Sequence, residues 1–338
     1  MSSRTRCRCK LEIQNSKFKI QNLSRTTAAS GSVAGSVKDQ KLLVLLGPTA
    51  VGKTEIALKL AQEFNGEIVS ADSRLIYRGM DTATAKPTRA EQARVPHHLI
   101  DVVAPDEELT LAEYQARAYA AIDDIFARGK LPLLVGGTGL YVRAVVEGYN
   151  IPRVPPNPAR RAELERLPAP ELYARLQTLD AAAAQTTLPN NARRIIRALE
   201  VIEATGEPLS AQQTRHPPPY PIYQIGLQLP RPLLYARVDA RIDKMIEQGL
   251  VDEVRGLVAR GYAFTLPSMT GLGYREIGAY LRGEIDLEQA IRLLKSNTRK
   301  FIRHQANWFR PSDARIQWFD LSVQDYAAIR ELVSLQLE

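Results

Sequence analysis

Residues Gly47-Pro48-Thr49-Ala50-Val51-Gly52-Lys53-Thr54 match the pattern G-x-x-x-x-G-K-[ST] at every fixed position. Just before them, Lys41-Leu42-Leu43-Val44-Leu45-Leu46 is a short apolar run closed by glycine, which reads as a buried strand. Just after them, Thr54 to Phe64 has helical spacing, with Ile56, Leu60 and Phe64 on one side. A glycine-rich loop between a buried strand and a helix is a phosphate cradle. Its successive backbone N–H groups form an anion nest, and the helix dipole adds positive potential. Lys53 supplies a point charge to the phosphates, and the Thr54 hydroxyl suits a Mg²⁺ ligand. A plain strand-to-helix turn is the alternative, and the flanking strand and helix argue against it.

The same alternation continues. Glu67-Ile68-Val69-Ser70 reads as a second strand leading to Asp72, a helix covers about 110–128, and Leu131-Pro132-Leu133-Leu134-Val135 is a further buried strand closed by Gly136-Gly137. Strands alternating with helices predict an α/β fold, a parallel P-loop sheet with helices on both faces. Composition shifts near residue 150. Ile151-Pro152-Arg153-Val154-Pro155-Pro156-Asn157-Pro158 and His216-Pro217-Pro218-Pro219-Tyr220-Pro221 are proline-rich linkers around a helical stretch. The expected organisation is a first core segment over 41–150, a helical insertion domain over 151–221, a second and mostly helical core segment over 222–320, and a C-terminal helix over 321–338. In the second core segment Ile222–Leu229 alternates like a strand, and long helices occupy roughly 231–310.

Residues 1–40 lack an amphipathic period and read as a disordered basic tail, either a bland extension or a transit peptide. The tail also dominates the charge. It holds eight Lys/Arg and two acids, whereas the remaining 298 residues hold 37 basic and 35 acidic groups. The net charge of +8 is therefore weak support for a nucleic-acid partner, which must rest on local patches. Both cysteines, Cys7 and Cys9, lie in the tail, so the rest of the chain can form neither a disulfide nor a zinc-finger cysteine pair. No run approaches the roughly 18 apolar residues of a membrane span. A cytoplasmic monomer without membrane attachment is the expectation.

The P-loop is a nucleotide- and ATP-binding pattern, but by itself it implies only a polyphosphate or diphosphate ligand. An ATPase usually ends an apolar strand in Asp to hold magnesium. Here Leu133-Leu134-Val135 runs into Gly136-Gly137-Thr138-Gly139, and the carboxylate stands after the other strand, in Ser70-Ala71-Asp72-Ser73. Ligands of open α/β sheets bind at the carboxyl ends of strands, so Asp72 and Thr138 should both face the P-loop. From position alone, Asp72 is open to two readings, a reactive group or a turn or cap residue.

With these residues in place, the chain resembles the tRNA dimethylallyltransferase (isopentenyltransferase) family over nearly all of residues 41–320. The resemblance is carried by Gly47–Thr54, Ser70-Ala71-Asp72-Ser73-Arg74-Leu75-Ile76-Tyr77-Arg78-Gly79-Met80-Asp81 and Thr84-Ala85-Lys86-Pro87. Val95-Pro96-His97-His98-Leu99-Ile100-Asp101 and Gly136-Gly137-Thr138-Gly139-Leu140-Tyr141 continue it. So do Arg194-Ile195-Ile196-Arg197-Ala198-Leu199-Glu200, Gly273-Tyr274-Arg275-Glu276 and the block from Thr298-Arg299 to Trp308-Phe309. The chain departs from the family where Asn191-Ala192-Arg193-Arg194 stands for Asp-Pro-Gln-Arg, where Ile302-Arg303-His304-Gln305 stands for Ala-Lys-Arg-Gln, and at Ala83, usually glycine. These changes bear on tRNA recognition rather than on the chemistry.

The resemblance implies transfer of a dimethylallyl group from dimethylallyl diphosphate to N6 of adenosine 37, beside the tRNA anticodon, with Mg²⁺ as cofactor. It implies Asp72 as the base that accepts an N6 proton, and Lys53, Thr54 and the loop amides as partners of the leaving diphosphate. Thr138 would steer the leaving group or the base. Arg275 is a further candidate for the diphosphate, with an ion pair to Glu276 as the alternative. The target adenine must be flipped out of its loop. Asp72, Ser73, Arg74, Leu75 and Thr138, together with Arg193, Arg194, Ile195, Ile196 and Arg197, would line the flipped base and its neighbours. Arg161 would be another tRNA contact.

Read from the residues alone, Arg292, Lys295, Arg299 and Arg303 share one helix face, and no acid occurs between Glu288 and Asp313. Leu294, Phe301, Ile302 and Trp308 would face the core. A basic stripe of this kind fits an RNA backbone, with Arg299 and Arg303 as contacts, or is a solvated face. His97-His98 lacks the further ligands of a metal site and reads as a loop or substrate-lining pair. Asp123-Asp124 reads as solvated surface. Three rival functions remain at this level: a small-molecule kinase with ATP as donor, a prenyltransferase acting on free adenine nucleotides, and a non-catalytic RNA-binding module. Offering labelled dimethylallyl diphosphate with tRNA, AMP and ATP as separate acceptors discriminates among them.

Overall fold

The computed structural model describes residues 40–338, so the expected tail falls outside the described residues except for Gln40. Strand β1 (Leu42–Leu46) is buried along its whole length. Leu43 and Leu45 enter one apolar cluster, and Leu42, Val44 and Leu46 enter another. A parallel strand covered on both faces has no solvent side, which is why the run is apolar throughout. Replacing a fully buried leucine such as Leu45 by alanine costs about 2–5 kcal/mol in such a setting.

Helix α1 (Lys53–Glu63) starts at Gly52, whose φ of 115° is in the left-handed region that a side chain disfavours. Then follow β2 (Gly66–Ser70), α2 (Arg89–Arg94), β3 (His97–His98), α3 (Leu111–Ala127), β4 (Leu131–Gly136) and α4 (Gly139–Val146). Helix α3 begins in a capping box, in which Thr110 and Glu113 each accept the other's backbone N–H. Helices α5 (Pro158–Leu164), α6 (Ala169–Leu179), α7 (Ala181–Gln185), α8 (Ala192–Thr205) and α9 (Leu209–Gln212) enclose an apolar cluster built from their own residues, among them Leu164, Leu172, Leu176, Ile195, Ala198 and Leu199. The segments entering and leaving this block run side by side: Asn150 N–H donates to Thr214 O at 2.9 Å and His216 N–H to Gly148 O at 2.8 Å.

The chain then returns to the sheet as β5 (Ile222–Gln228) and continues through α10 (Arg231–Glu247), α11 (Leu250–Ala259), α12 (Tyr274–Leu281), α13 (Leu287–Gln305), β6 (Ile316–Asp320) and α14 (Tyr326–Leu337). The strand order is β3-β2-β4-β1-β5-β6, and every neighbouring pair is parallel. Helices α1 and α10 to α14 contribute to the cluster on one face of the sheet, and α3 and α4 to the cluster on the other. This is the expected α/β architecture. Because the strands are parallel, the segments after β1, β2 and β4 all emerge at one edge of the sheet, where ligands of such folds bind.

Two short strands differ from the sequence expectation. His97-His98 is not a loop but the edge strand β3, paired with Ile68 and Val69 of β2. Ile316–Asp320, expected within a mostly helical segment, is β6, which pairs with β5. So short a segment carries too little period to identify a strand, and this one forms only by pairing with a segment far earlier in the chain, Ile316 standing beside Gln224. Among the described residues, no helix is long and apolar enough to cross a membrane.

Candidate active site

A cavity of about 1210 Å³ opens where β1, β2 and β4 end. Its wall includes Thr49, Ala50, Gly52, Lys53 and Thr54 from the P-loop, Asp72 to Leu75 after β2, and Gly136 to Thr138 after β4. The Lys53 ammonium turns in on the loop and donates to Gly47 O at 2.9 Å and Pro48 O at 2.8 Å. Burial brings its pKa down to about 8, against the opposing pull of the Asp72 charge and with a small contribution from Arg241. Thr54 is exposed to the cavity. Val51 is different. It is fully buried and packs into the core, so only its backbone is available to the cradle.

Asp72 is half-buried on the cavity wall. Its Oδ1 accepts the Arg74 N–H at 2.8 Å, so one oxygen forms the local turn and the other is left for the cavity. The turn reading of this residue is therefore present, and its second oxygen is left open for a reactive role. The Thr138 hydroxyl accepts the Ser73 N–H at 3.0 Å and lies 3.3 Å from the Ser73 hydroxyl. Gln305, at the end of α13, bridges the other side of the site. Its Oε1 accepts the Thr49 N–H at 3.0 Å, and its Nε2 donates to Gly137 O at 3.0 Å.

Helix α10 adds three basic side chains that the sequence did not single out, Arg237, Arg241 and Lys244. Arg237 and Arg241 are four residues apart, on one helix face, and both line the cavity. Arg237 donates to Val51 O at 3.2 Å. Burial disfavours the charged form of Arg241, and the Asp72 charge opposes that effect. Arg275 also lines the cavity, and its ion pair with Glu276 is present at 2.6 Å. That pair is not an ordinary surface contact, because the Glu276 carboxylate is buried and also accepts from Asn297 at 2.9 Å and from the Gly273 N–H at 2.9 Å. The acids of the wall are Asp72, Glu55 and Glu91, against basic groups that include Lys53, Arg237, Arg241 and Arg275. Such a wall suits an anion beside a single reactive carboxylate.

The remaining expected contacts fall elsewhere. Ile195 and Ile196 are buried in the apolar cluster of α8, so their side chains pack the helical block and cannot line a flipped base. Arg193 and Arg194 are exposed at the start of α8, where the Asn191 side chain caps the helix by accepting the Arg194 N–H at 3.2 Å. Arg161 and Arg197 both bond the buried Glu200, and Arg197 also donates to Val154 O at 2.9 Å. Glu200 is held ionised by these partners despite its burial, so both guanidinium groups are engaged within the helical block.

The basic stripe of α13 is not free of acids. Arg292 pairs with Glu288, Lys295 with Asp243 at 2.6 Å, and Arg299 with Asp239. Asp239 and Asp243 come from α10, so the compensation is invisible in the local sequence. Arg303 only approaches the Tyr235 hydroxyl, at 3.5 Å. The cavity meets another side of the helix, through Asn297, Phe301, His304 and Gln305. Leu294 and Ile302 are buried as expected, whereas Phe301 and Trp308 are exposed. His97 and His98 do not line the cavity. They bond Val95 O and the buried Glu67, each through a ring nitrogen. Asp123 and Asp124 are exposed on α3.

A family model described as IPP transferase matches residues 75–312. The tRNA dimethylallyltransferase of Roseiflexus sp. (strain RS-1) is 56% identical over 304 residues, which cover 86% of this chain and 98% of that protein. The protein of the same name from Herpetosiphon aurantiacus is 50% identical over 298 residues, covering 87% and 95%. Among solved structures, the tRNA isopentenylpyrophosphate transferase of Bacillus halodurans is 41% identical with a TM-score of 0.67, covering 88% of this chain and 97% of that one. A eukaryotic dimethylallyltransferase acting on tRNA is 26% identical with a TM-score of 0.75, covering 87% and 78%.

Proposed function

The chain belongs to the IPP transferase family, and on that premise we propose how its own residues carry out the family's reaction. It transfers a dimethylallyl group from dimethylallyl diphosphate to N6 of adenosine 37 of tRNA, releasing diphosphate. The observation that carries the mechanism is the meeting of the Asp72 carboxylate with an anion cradle and further basic side chains, Arg237, Arg241 and Arg275 among them, around a single cavity.

The diphosphate sits in the P-loop. Lys53 leaves the Gly47 and Pro48 carbonyls to meet it, and Arg237, Arg241 and Arg275 oppose its remaining charge. These cations matter most as the C–O bond to the prenyl group breaks, because negative charge then accumulates on the leaving oxygen. The adenine enters flipped out of the anticodon loop. Its N6 is a weak nucleophile, since the lone pair is delocalised into the ring. As N6 forms its bond to the prenyl carbon, the free oxygen of Asp72 accepts an N6 proton. Thr138 holds the Ser73 backbone and so keeps the Asp72 turn in place.

Magnesium fits this site in one respect. Mg²⁺ in phosphate sites takes few protein ligands and fills the rest from phosphate and water. The exposed Thr54 hydroxyl would hold it, and it would supply further charge neutralisation to the diphosphate.

The exposed Arg193 and Arg194, with Arg303, would meet the RNA backbone, and a single chain supplies every group named here. The test offers labelled dimethylallyl diphosphate with tRNA, AMP or ATP as acceptor. Label should enter tRNA alone. Transfer to AMP or ATP at a comparable rate would favour action on free nucleotides, and phosphate transfer from ATP without prenylation would favour a kinase.

A further inference from the structure

Glu253 lies on α11 outside the cavity, yet its carboxylate ties two stretches of the cavity wall together. Its Oε1 accepts the Tyr274 hydroxyl at 2.6 Å. Its Oε2 accepts the Asp81 N–H at 3.2 Å, the Thr82 N–H at 2.8 Å and the Thr82 hydroxyl at 2.7 Å. Ala83, Thr84 and Ala85, which follow Thr82, line the cavity, as does Arg275, which follows Tyr274. The two stretches also touch directly. A Cβ on Gly273 would lie 2.6 Å from Ala83 Cβ, and Gly273 has a φ of 90°, so neither the space nor the backbone admits a side chain there.

We propose that Glu253 is a positioning residue that sets the affinity for the prenyl donor by fixing Arg275 and the Ala83–Ala85 strip relative to each other. The proposal rests on the functional reading above. A carboxylate has about four acceptor sites, and Glu253 receives four donors, all from the protein. It lies outside the cavity and acts through what it holds. Tyr274 is almost wholly buried, and burial together with the Glu253 charge keeps its phenol protonated and therefore a donor. On the far side of the same turn, the buried Lys86 ammonium holds Asp81 at 2.6 Å and Tyr77 O at 2.8 Å. The turn is thus gripped from both sides, and Glu253 is the grip that links it to Arg275.

The test compares Glu253→Ala, Glu253→Gln and Tyr274→Phe with the parent, using initial rates with each substrate varied, well below each variant's Tm. Gln can accept from the Thr82 and Asp81 amides and donate to the Tyr274 oxygen, so it preserves the tie without the charge. Glu253→Ala should raise the donor KM about tenfold while the tRNA KM stays within about twofold, and Glu253→Gln should stay within about threefold of the parent. Tyr274→Phe should fall between them. A purely structural role would lower the Tm of Glu253→Ala and leave its donor KM unmoved, and that result overturns the proposal. An equal rise in the tRNA KM also overturns it. If Glu253→Ala does not fold, Tyr274→Phe decides, and a parent-like donor KM there counts against the proposal. A parent that transfers no label to tRNA overturns the functional reading and this proposal with it, whereas an active parent with unmoved variants overturns this proposal alone.

Discussion

The Thr138 hydroxyl accepts the backbone N–H of Ser73 at 3.0 Å across 65 positions of sequence. This bond joins the loop after β4 to the loop after β2, next to Asp72. Thr138→Val keeps the shape of the side chain but leaves the Ser73 N–H without its acceptor, a loss of about 1–3 kcal/mol when such a group is desolvated. The single-turnover rate of prenyl transfer should fall about tenfold or more in Thr138→Val, and Thr138→Ser should recover most of it. A valine variant as fast as the parent would remove Thr138 from the support of the base.

Asp72→Asn should lower kcat by about 10²–10⁴-fold, the usual loss for a general base, with little change in the tRNA KM. Asn can still accept the Arg74 N–H through its carbonyl oxygen, so the local turn should survive and the Tm should hold. Turnover near the parent level would exclude Asp72 as the proton acceptor.

Lys53 gives the site a pH dependence. Burial holds its pKa down at about 8, so the protein loses this charge as pH rises through that value. Binding the donor above about pH 8 then requires uptake of a proton, and the donor KM should rise with pH there by at most about tenfold per unit. Below it the KM should be flat with respect to this group. Lys53→Arg stays charged throughout and should lose the rise, whatever it does to the absolute KM. The stability of the fold has its own sign. Between about 8 and the ordinary 10.5 the unfolded chain holds the Lys53 proton more tightly than the fold does, so this group makes stability rise with pH across that window. A donor KM independent of pH from about 7 to about 10 would contradict the assignment.

The basic residues should divide into two groups when tRNA affinity is measured against salt. Arg193, Arg194 and Arg303 have no carboxylate partner among the described residues, and each Arg→Gln change that removes a phosphate contact should flatten the salt slope by about 0.7. Arg299 is paired with Asp239, and Arg161 and Arg197 with Glu200. Their substitutions should lower the Tm and change the slope much less, because each takes a charged partner from a carboxylate of the fold. An Arg299→Gln variant with an unchanged Tm and a slope reduced by a full contact would reverse this division.

Some of this was legible in the sequence alone. The P-loop, the buried strand before it and the helix after it are local patterns, and Leu42 to Thr54 specify them within a few turns of chain. The placement of Asp72 and Thr138 beside the P-loop followed from one further rule, that the strands are parallel and their ends converge. What only the tertiary structure decided is what stands opposite each helix face. The sequence groups Arg292, Lys295, Arg299 and Arg303 on one side of α13, but Asp239 and Asp243 reach that side from α10. Ile195 and Ile196 lie among expected RNA contacts in the sequence, but the rotation of α8 turns them into its own core. Arg237, Arg241 and Gln305 carry no local signal, because they enter the site only when α10 and the end of α13 pack against the loops after β1 and β4. The physical reason is one of range: helical and strand periods are set by neighbours a few residues away, whereas the partner of a charged side chain is set by the packing of segments that the chain brings together from far apart.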